Sequence, residues 1–366
     1  MHDEALVGEA KRLIDALAAS PRFAGSREER NARELCAGVL QRAGLATTET
    51  PFEFSQWPGR FGIPLVAGWL LLGIIIAWAT AAIFPQRADP IVIAYLFVVP
   101  GFVYAARRRP TATARMSSYR TTSVNLEGVR GNAHVWLVAH LDSKSQSVPM
   151  LVRVASHVAL ITVFVATYAI GFAQLIGWAK HPQWGWLVIL AGIAALPSLF
   201  CVVGNKSRGA LDNATGVAAV LLAAGLVSRG KSFGVLITSG EELDLAGARA
   251  WSAGAHKGAT MINCDTVDDA GSWRCMFQMR PHALGMAAER AAKKLGLALR
   301  MGKVIPGILT DSLAFEAAGL PAVTLSRGTL RTLARLHTRA DSPDRVIGSG
   351  AAAAASMLAE MVEELG

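Results

Sequence analysis

SFGVLITSGEEL, residues 232–243, carries an uncharged apolar run straight into two adjacent carboxylates, Glu241 and Glu242. The run has the length and the β-branched content of a buried strand. Like charges on neighbouring residues repel, so a Glu-Glu pair on its own reads as a solvated turn. Its meaning comes from the residues at the ends of the other strand-like runs. AHVWLVA (133–139) leads into HLDS, with His140 and Asp142, and ATMINC (259–264) leads into Asp265. GALDNATG (209–216) is a turn with Asp212 that opens a helix, and LHTRAD (336–341) holds His337. Each place alone reads as a turn or a cap, Asp212 as a helix N-cap. Together they supply two imidazoles and several carboxylates, the donor set that a pair of zinc-like ions uses.

A fourth strand-like run is PAVTLS (321–326). Helical stretches lie between and beyond these runs, over Thr215–Ser228, Leu245–Ala255, Ala283–Leu295, Leu313–Ala318 and Ser349–Leu365. Two amphipathic helices start the chain, one within 1–20 and one over 27–43, joined by the turn-rich SPRFAGS. Short apolar strands alternating with helices predict an α/β fold, a mixed and mostly parallel sheet with helices on both faces. Such sheets bind ligands beyond the carboxyl ends of their strands, where the acidic and imidazole residues fall.

The composition points to a second compartment. The chain has 366 residues, 52% of them hydrophobic, and a formal charge of +9, with a mean hydropathy of +0.36. That is too apolar for an ordinary soluble chain. Phe61–Phe84, Pro90–Ala106, Val158–Trp178 and Trp184–Gly204 carry no charged residue. A span takes about 20 residues, with about 17 as the lower limit, and Pro90–Ala106 sits at that limit. The short links PQRAD and AKHPQ pair the runs, predicting four transmembrane helices in two inserted hairpins. Arg60, Arg107, Arg108, Arg109, Lys144, Arg153, Lys206 and Arg208 lie on the flanks, against Arg87 and Lys180 in the links. The positive-inside rule then places the polar domain in the cytoplasm, on an inner or plasma membrane. The excess positive charge is assigned to the lipid bilayer as partner and not to nucleic acid, since neither zinc-finger spacing nor an aromatic-basic signature occurs. Cys36, Cys201, Cys264 and Cys275 form no CxxC pair, which fits a reducing compartment.

The motifs HLD (140–142), DNATG (212–216), GEE (240–242), NCD (263–265) and HT (337–338) resemble, in order, those of the M28-type zinc aminopeptidase-like peptidases. PRFAGSREERNARELCAGVLQRAGL (21–45) and TDSLAFEAAGLPAVTL (310–325) look like further segments of that family. The resemblance implies a zinc-exopeptidase-like fold with two zinc ions or other divalent metals. It implies His140 and Asp265 on one metal, Glu242 and His337 on the other, and Asp212 bridging both. It implies Glu241 as general base and Asp142 as the partner of the other His140 ring nitrogen, and a peptide bond after Asp212 that is often cis. The expected activity is that of a membrane-anchored dizinc exopeptidase, an aminopeptidase acting on N-terminal residues of peptides. Two other readings stand beside it: a glutaminyl-cyclase-like, single-zinc aminoacyltransferase, and a catalytically silent membrane scaffold.

Strand geometry would give the two glutamates separate roles. Successive strand residues point in opposite directions, so one Glu would reach a metal while its neighbour reached the attacking water. The sequence departs from the family at Thr310-Asp311-Ser312, where many relatives carry Asp-His, and at Thr215, where Ser is common. Asp341 reads equally as a buried partner of the site and as the start of a turn. Asp244, Asp268 and Asp269 read as solvated, and Arg280 and Arg327 as candidates for a substrate carboxylate. His134, His157, His181, His256 and His282 have no motif context. The expected organisation is a peptidase domain from 1–60, 107–150 and 205–366, interrupted by hairpins at 61–106 and 151–204. Eight residues separate Asp142 from Leu151 and reach at most about 29 Å, which would hold the site near the membrane. The hairpins would then either present membrane-released peptides or serve only as an anchor.

Overall fold

The computed structural model describes residues 4–83, 119–178, 184–254, 258–279, 282–305 and 307–366. The run Pro90–Ala106, the arginines 107–109, and Arg87, Lys180, His181, His256 and Arg280 lie outside the described residues. The chain divides into two compact units, one of 1–54, 121–145 and 204–366, the other of 55–120 and 146–203.

The first unit is built on an eight-stranded sheet. Its strands are β1 (Ala46–Ser55), β2 (Arg120–Arg130), β3 (Val135–His140), β4 (Phe233–Thr238), β5 (Thr260–Val267), β6 (Ser272–Phe277), β7 (Leu299–Lys303) and β8 (Ala322–Gly328). Their order is β1-β2-β4-β3-β5-β8-β6-β7. The central strands β4, β3, β5 and β8 are parallel neighbours, while β2 pairs antiparallel to β4 and β6 antiparallel to β8, with β7 parallel to β6 at the edge. Every residue of β3 and β4 is buried. That is why these two read as continuous apolar runs and not as alternating ones: helices cover the sheet on both faces. The outer strands left weaker signals. β1 is mostly exposed, and β7 is half-exposed and basic.

In the same unit the helices are α1 (Glu4–Leu17), α2 (Arg27–Arg42), α6 (Thr215–Leu226), α7 (Ala246–Ser252), α8 (His282–Lys294), α9 (Asp311–Ala317), α10 (Leu330–Arg335) and α11 (Ser349–Leu365). α6 is buried on all sides from Thr215 to Ala224 and packs on β3 and β5. It therefore lacks the one-sided pattern of a surface helix. The alanine run 351–355 lets α11 lie close against it. α7 and α9 take the other face, where Trp136, Val138, Leu236, Trp251, Met261 and Phe315 form one apolar cluster. Trp251 sits edge-on to Trp136 at 5.1 Å and to Phe315 at 5.8 Å, a favourable ring geometry. A Cβ on Gly234 would come within 2.4 Å of the Trp136 ring, so this glycine makes room for the indole.

The second unit holds α3 (Trp57–Ile83), α4 (Met150–Leu175) and α5 (Trp184–Leu199). Ala67, Leu70, Ile74, Leu160, Phe164 and Ala191 pack between them. Ser156 near the start of α4 is 2.6 Å from Ser198 near the end of α5, so these two helices run antiparallel. His157 joins the same cluster, its Nδ1 2.9 Å from Ser198. Two of the described helices, α3 and α4, are long and apolar enough to cross a membrane. The expectation of four is corrected in one arm. Trp184–Gly204 yields a helix of only 16 residues, with Pro197 inside it, or about 24 Å, less than the hydrocarbon thickness of about 30 Å.

Candidate metal centre

Three strand ends and two loops bring the site together. His140 is the last residue of β3. Its Nδ1 lies 3.1 Å from the backbone carbonyl of Asp142. A carbonyl only accepts, so Nδ1 carries the hydrogen and Nε2 faces the centre. Asp265 lies near the end of β5. Asp212 sits in the loop before α6, and the Asp212–Asn213 peptide bond is cis. Glu241 and Glu242 lie in a short 3-10 turn, Glu241–Leu243, entered through Gly240 at φ 69°. They are not strand residues, so their divergence comes from this turn and not from strand alternation.

The geometry is that of two adjoining triads. His140, Glu241 and Asp265 form one and Asp212, Glu242 and His337 the other, with ligand atoms in each within 4.8 Å of one another. Asp212 spans both: Oδ1 is 3.1 Å from His140 Nε2, and Oδ2 is 3.0 Å from His337 Nε2. Asp265 Oδ1 and Glu241 Oε2 lie 3.6 and 3.9 Å from His140 Nε2. Glu242 Oε1 lies 3.2 Å from His337 Nε2. His140 Nε2 and Glu242 Oε1 are buried yet make no hydrogen bond. A buried polar atom without a partner is costly, and imidazole nitrogens beside carboxylate oxygens are the donor set of zinc. The residues therefore fit a divalent metal at each triad.

The surrounding loops are tied together by buried polar groups. Asp142 accepts from the amides of Glu241 at 3.1 Å and Glu242 at 3.2 Å. Its carboxylate is 3.7 Å from His140 Nδ1, beyond hydrogen-bond range. Asp142 therefore meets the imidazole through its backbone and spends its side chain on the glutamate turn. Asp341 is buried and accepts from the amides of Leu211 at 2.6 Å and Asp212 at 3.2 Å, which decides between its two readings. Asn213 bonds the Cys264 carbonyl at 2.9 Å and the Thr266 amide at 3.1 Å, tying the Asp212 loop to the Asp265 strand.

Arg22 gave no local signal in sequence, yet it is buried beneath both loops. Its guanidinium donates to the carbonyls of Leu17, Leu141, Arg208 and Gly209. Lys144, whose flank position suggested only membrane orientation, lies 2.7 Å from Glu242 Oε2. Ser312 is buried in a hydroxyl cluster, 2.7 Å from Thr324 and 2.9 Å from Thr310. Asp268 is likewise buried, accepting from the Thr332 hydroxyl at 2.6 Å. Asp269 accepts from the amides of Ile347, Gly348 and Gly350 at the start of α11. Both therefore differ from the solvated reading. Arg327 stacks on Trp273.

Charge follows the same division. Burial would depress His140, but Glu241, Asp142, Asp212 and Asp265 around it hold its imidazole well above the ordinary histidine range. Burial, with Glu242, Asp265 and Asp311 nearby, pushes Glu241 well above the ordinary carboxylate range despite His140. Burial also works against Glu242, yet His337 and Lys144 bring it below that range. Asp212 is lowered too, His140 and His337 outweighing burial. Adjacent glutamates are thus pushed in opposite directions, the pattern that separates acid-base roles.

The sequence model of peptidase family M28 matches residues 122–362. No curated protein matches the chain significantly. Among solved structures, an aminopeptidase from Aneurinibacillus sp. strain AM-1 superposes with a TM-score of 0.58 at 15% identity, covering 97% of this chain and 93% of its own. BSAP, a zinc aminopeptidase from Bacillus subtilis, gives 0.58 at 13% identity, over 98% of this chain and 95% of its own. A Fimbriiglobus ruber glutaminyl cyclase gives 0.54 at 13% identity, over 98% and 94%. At such identities these structures show a shared fold. The family match spans every residue of both triads, and the chain belongs to peptidase family M28.

Proposed function

We propose that the chain is a membrane-anchored dizinc aminopeptidase. The observation that carries this reading is Asp212, whose two oxygens face His140 on one side and His337 on the other. One carboxylate shared between two imidazole-bearing triads suits a bridged metal pair. In this reading His140 and Asp265 hold one ion, Glu242 and His337 the other, and Asp212 both. Two such ions would polarise the scissile carbonyl and lower the pKa of the attacking water. Glu241 acts as the base. The positive charge of the ions would keep its carboxylate ionised, able to take the water's proton and return it to the leaving amine. Asp142 sets the reach of both glutamates by holding their amides.

The anchoring rests on the two long apolar helices α3 and α4, with the cytoplasmic placement of the site as part of the proposal. A one-metal glutaminyl cyclase is the second reading, favoured by the cyclases that share the fold. Metal content and amino-acid release from a peptide library, for the detergent-solubilised chain and for Glu241→Gln, separate the cases. Two metals per chain, with N-terminal trimming about 10²–10⁴-fold slower in the variant at unchanged metal content, is the expected result. Metal lost in the variant would make Glu241 a ligand. One metal with cyclised products would favour the cyclase.

A further inference from the structure

Lys144 is the cation in contact with the centre. Its Nζ is 2.7 Å from Glu242 Oε2 and donates to the Glu242 backbone carbonyl at 3.0 Å. The Lys144 side chain is 14% exposed and that of Glu242 4%, so solvent screens the pair poorly. Glu242 is thereby divided, with Oε2 on the ammonium and Oε1 toward His337. Among the described residues, no lysine or arginine pairs with His140, Glu241 or Asp265 of the other triad.

Lys144 would hold Glu242 in position, or it would act through its charge. The first role is already filled, because Asp142 holds the amides of both glutamates. What Lys144 alone adds is a positive charge on an oxygen of a metal-binding carboxylate. It neutralises much of that carboxylate and repels a dication beside it, and both effects are strong where water is excluded. On the reading of this site as a metal centre, we infer that Lys144 is a resident counter-ion of Glu242 that opposes a divalent ion at the Asp212–Glu242–His337 position. That position then takes metal more weakly than its ligand set would by itself.

The test is a calorimetric zinc titration of the full chain in detergent, for wild type, Lys144→Met, Lys144→Gln and Lys144→Arg. The neutral variants should bind zinc about 10–100-fold more tightly at one of the two positions. They should also show a larger zinc-induced rise in Tm. Lys144→Arg, which keeps the charge, should match wild type. A residue with a merely structural role would weaken binding when replaced, so unchanged or weaker binding in Lys144→Gln overturns the inference, whatever the folding of Lys144→Met. Zinc uptake at equal affinity in all four proteins sinks this inference alone. Absence of uptake in all four sinks the metal-centre reading with it.

Discussion

Asp142 shows how one side chain can govern two others. Its carboxylate accepts from the amides of Glu241 and Glu242, and its backbone carbonyl fixes the His140 tautomer. Hydrogen bonds to a charged acceptor are worth about 1.5–3 kcal/mol each. Asp142→Ala should therefore lower stability by several kcal/mol. It should also weaken metal binding about 10–100-fold, as read by denaturant melts and zinc titration. Asp142→Asn, which keeps one acceptor oxygen, should fall between. The sequence placed Asp142 beside His140, and its carboxylate lies 3.7 Å from the ring, but its hold on the two glutamate amides was not legible. HLD spacing puts a carboxylate two residues from the imidazole, whereas the glutamate amides come from the turn after β4, nearly a hundred residues further on, and only the pairing of β3 with β4 brings them together. Backbone strain is local to the same residues: His337 has φ 59°, and Thr266, beside Asp265, φ 54°. Such conformations gather at sites where the surrounding structure over-determines them.

At the scale of elements, legibility followed burial. β3 and β4 were readable because both faces of the sheet are covered and their residues are uniformly apolar. β1 and β7 were not, because exposed edge positions admit polar residues that carry no period. The glycine of β4 has a tertiary cause of its own. Gly234→Ala places a Cβ against the Trp136 ring, and the ring, wedged against Trp251, has little room to yield. Overpacking of this kind costs about 1–3 kcal/mol, so a matching loss in denaturant midpoint with an unchanged slope is expected. α5 shows the opposite limit of pattern reading. An uncharged run proposes a span, but where its helix stops is settled by the turn that ends it, and the helix closes at Leu199.

For the whole molecule, the centre links stability to pH. Burial raises Glu29, Asp311 and Asp341 each to about 7, with Asp142 adding to the rise at Glu29. A carboxyl whose folded pKa lies above its unfolded value keeps a proton that the unfolded chain has released. Stability then falls as pH rises through that window. His140 and His337 are raised as well, and theirs is lost above the ordinary histidine pKa. Asp212 and Glu242 are lowered, so their contribution is already complete above their unfolded values. The chelated protein should therefore lose several degrees of Tm between about pH 5 and 7.5. Metal binding must displace protons from both imidazoles, so zinc affinity should rise over the same range, as calorimetry at several pH values would show.

Local signals in the sequence were enough for the α/β class, the buried strands and the ordered candidate site residues His140, Asp212, Glu241, Glu242, Asp265 and His337. Those signals are apolar runs, turn residues, and chemistry placed at run ends. Tertiary structure alone revealed that Asp142 holds the glutamate amides, that Asp341 and Arg22 brace the Asp212 loop, and that Lys144 sits on Glu242. Those contacts join segments far apart in the chain, and the pairing of the central strands sets them. A charge buried by such pairing looks in sequence like any solvated one, because its desolvation is decided by its distant neighbours.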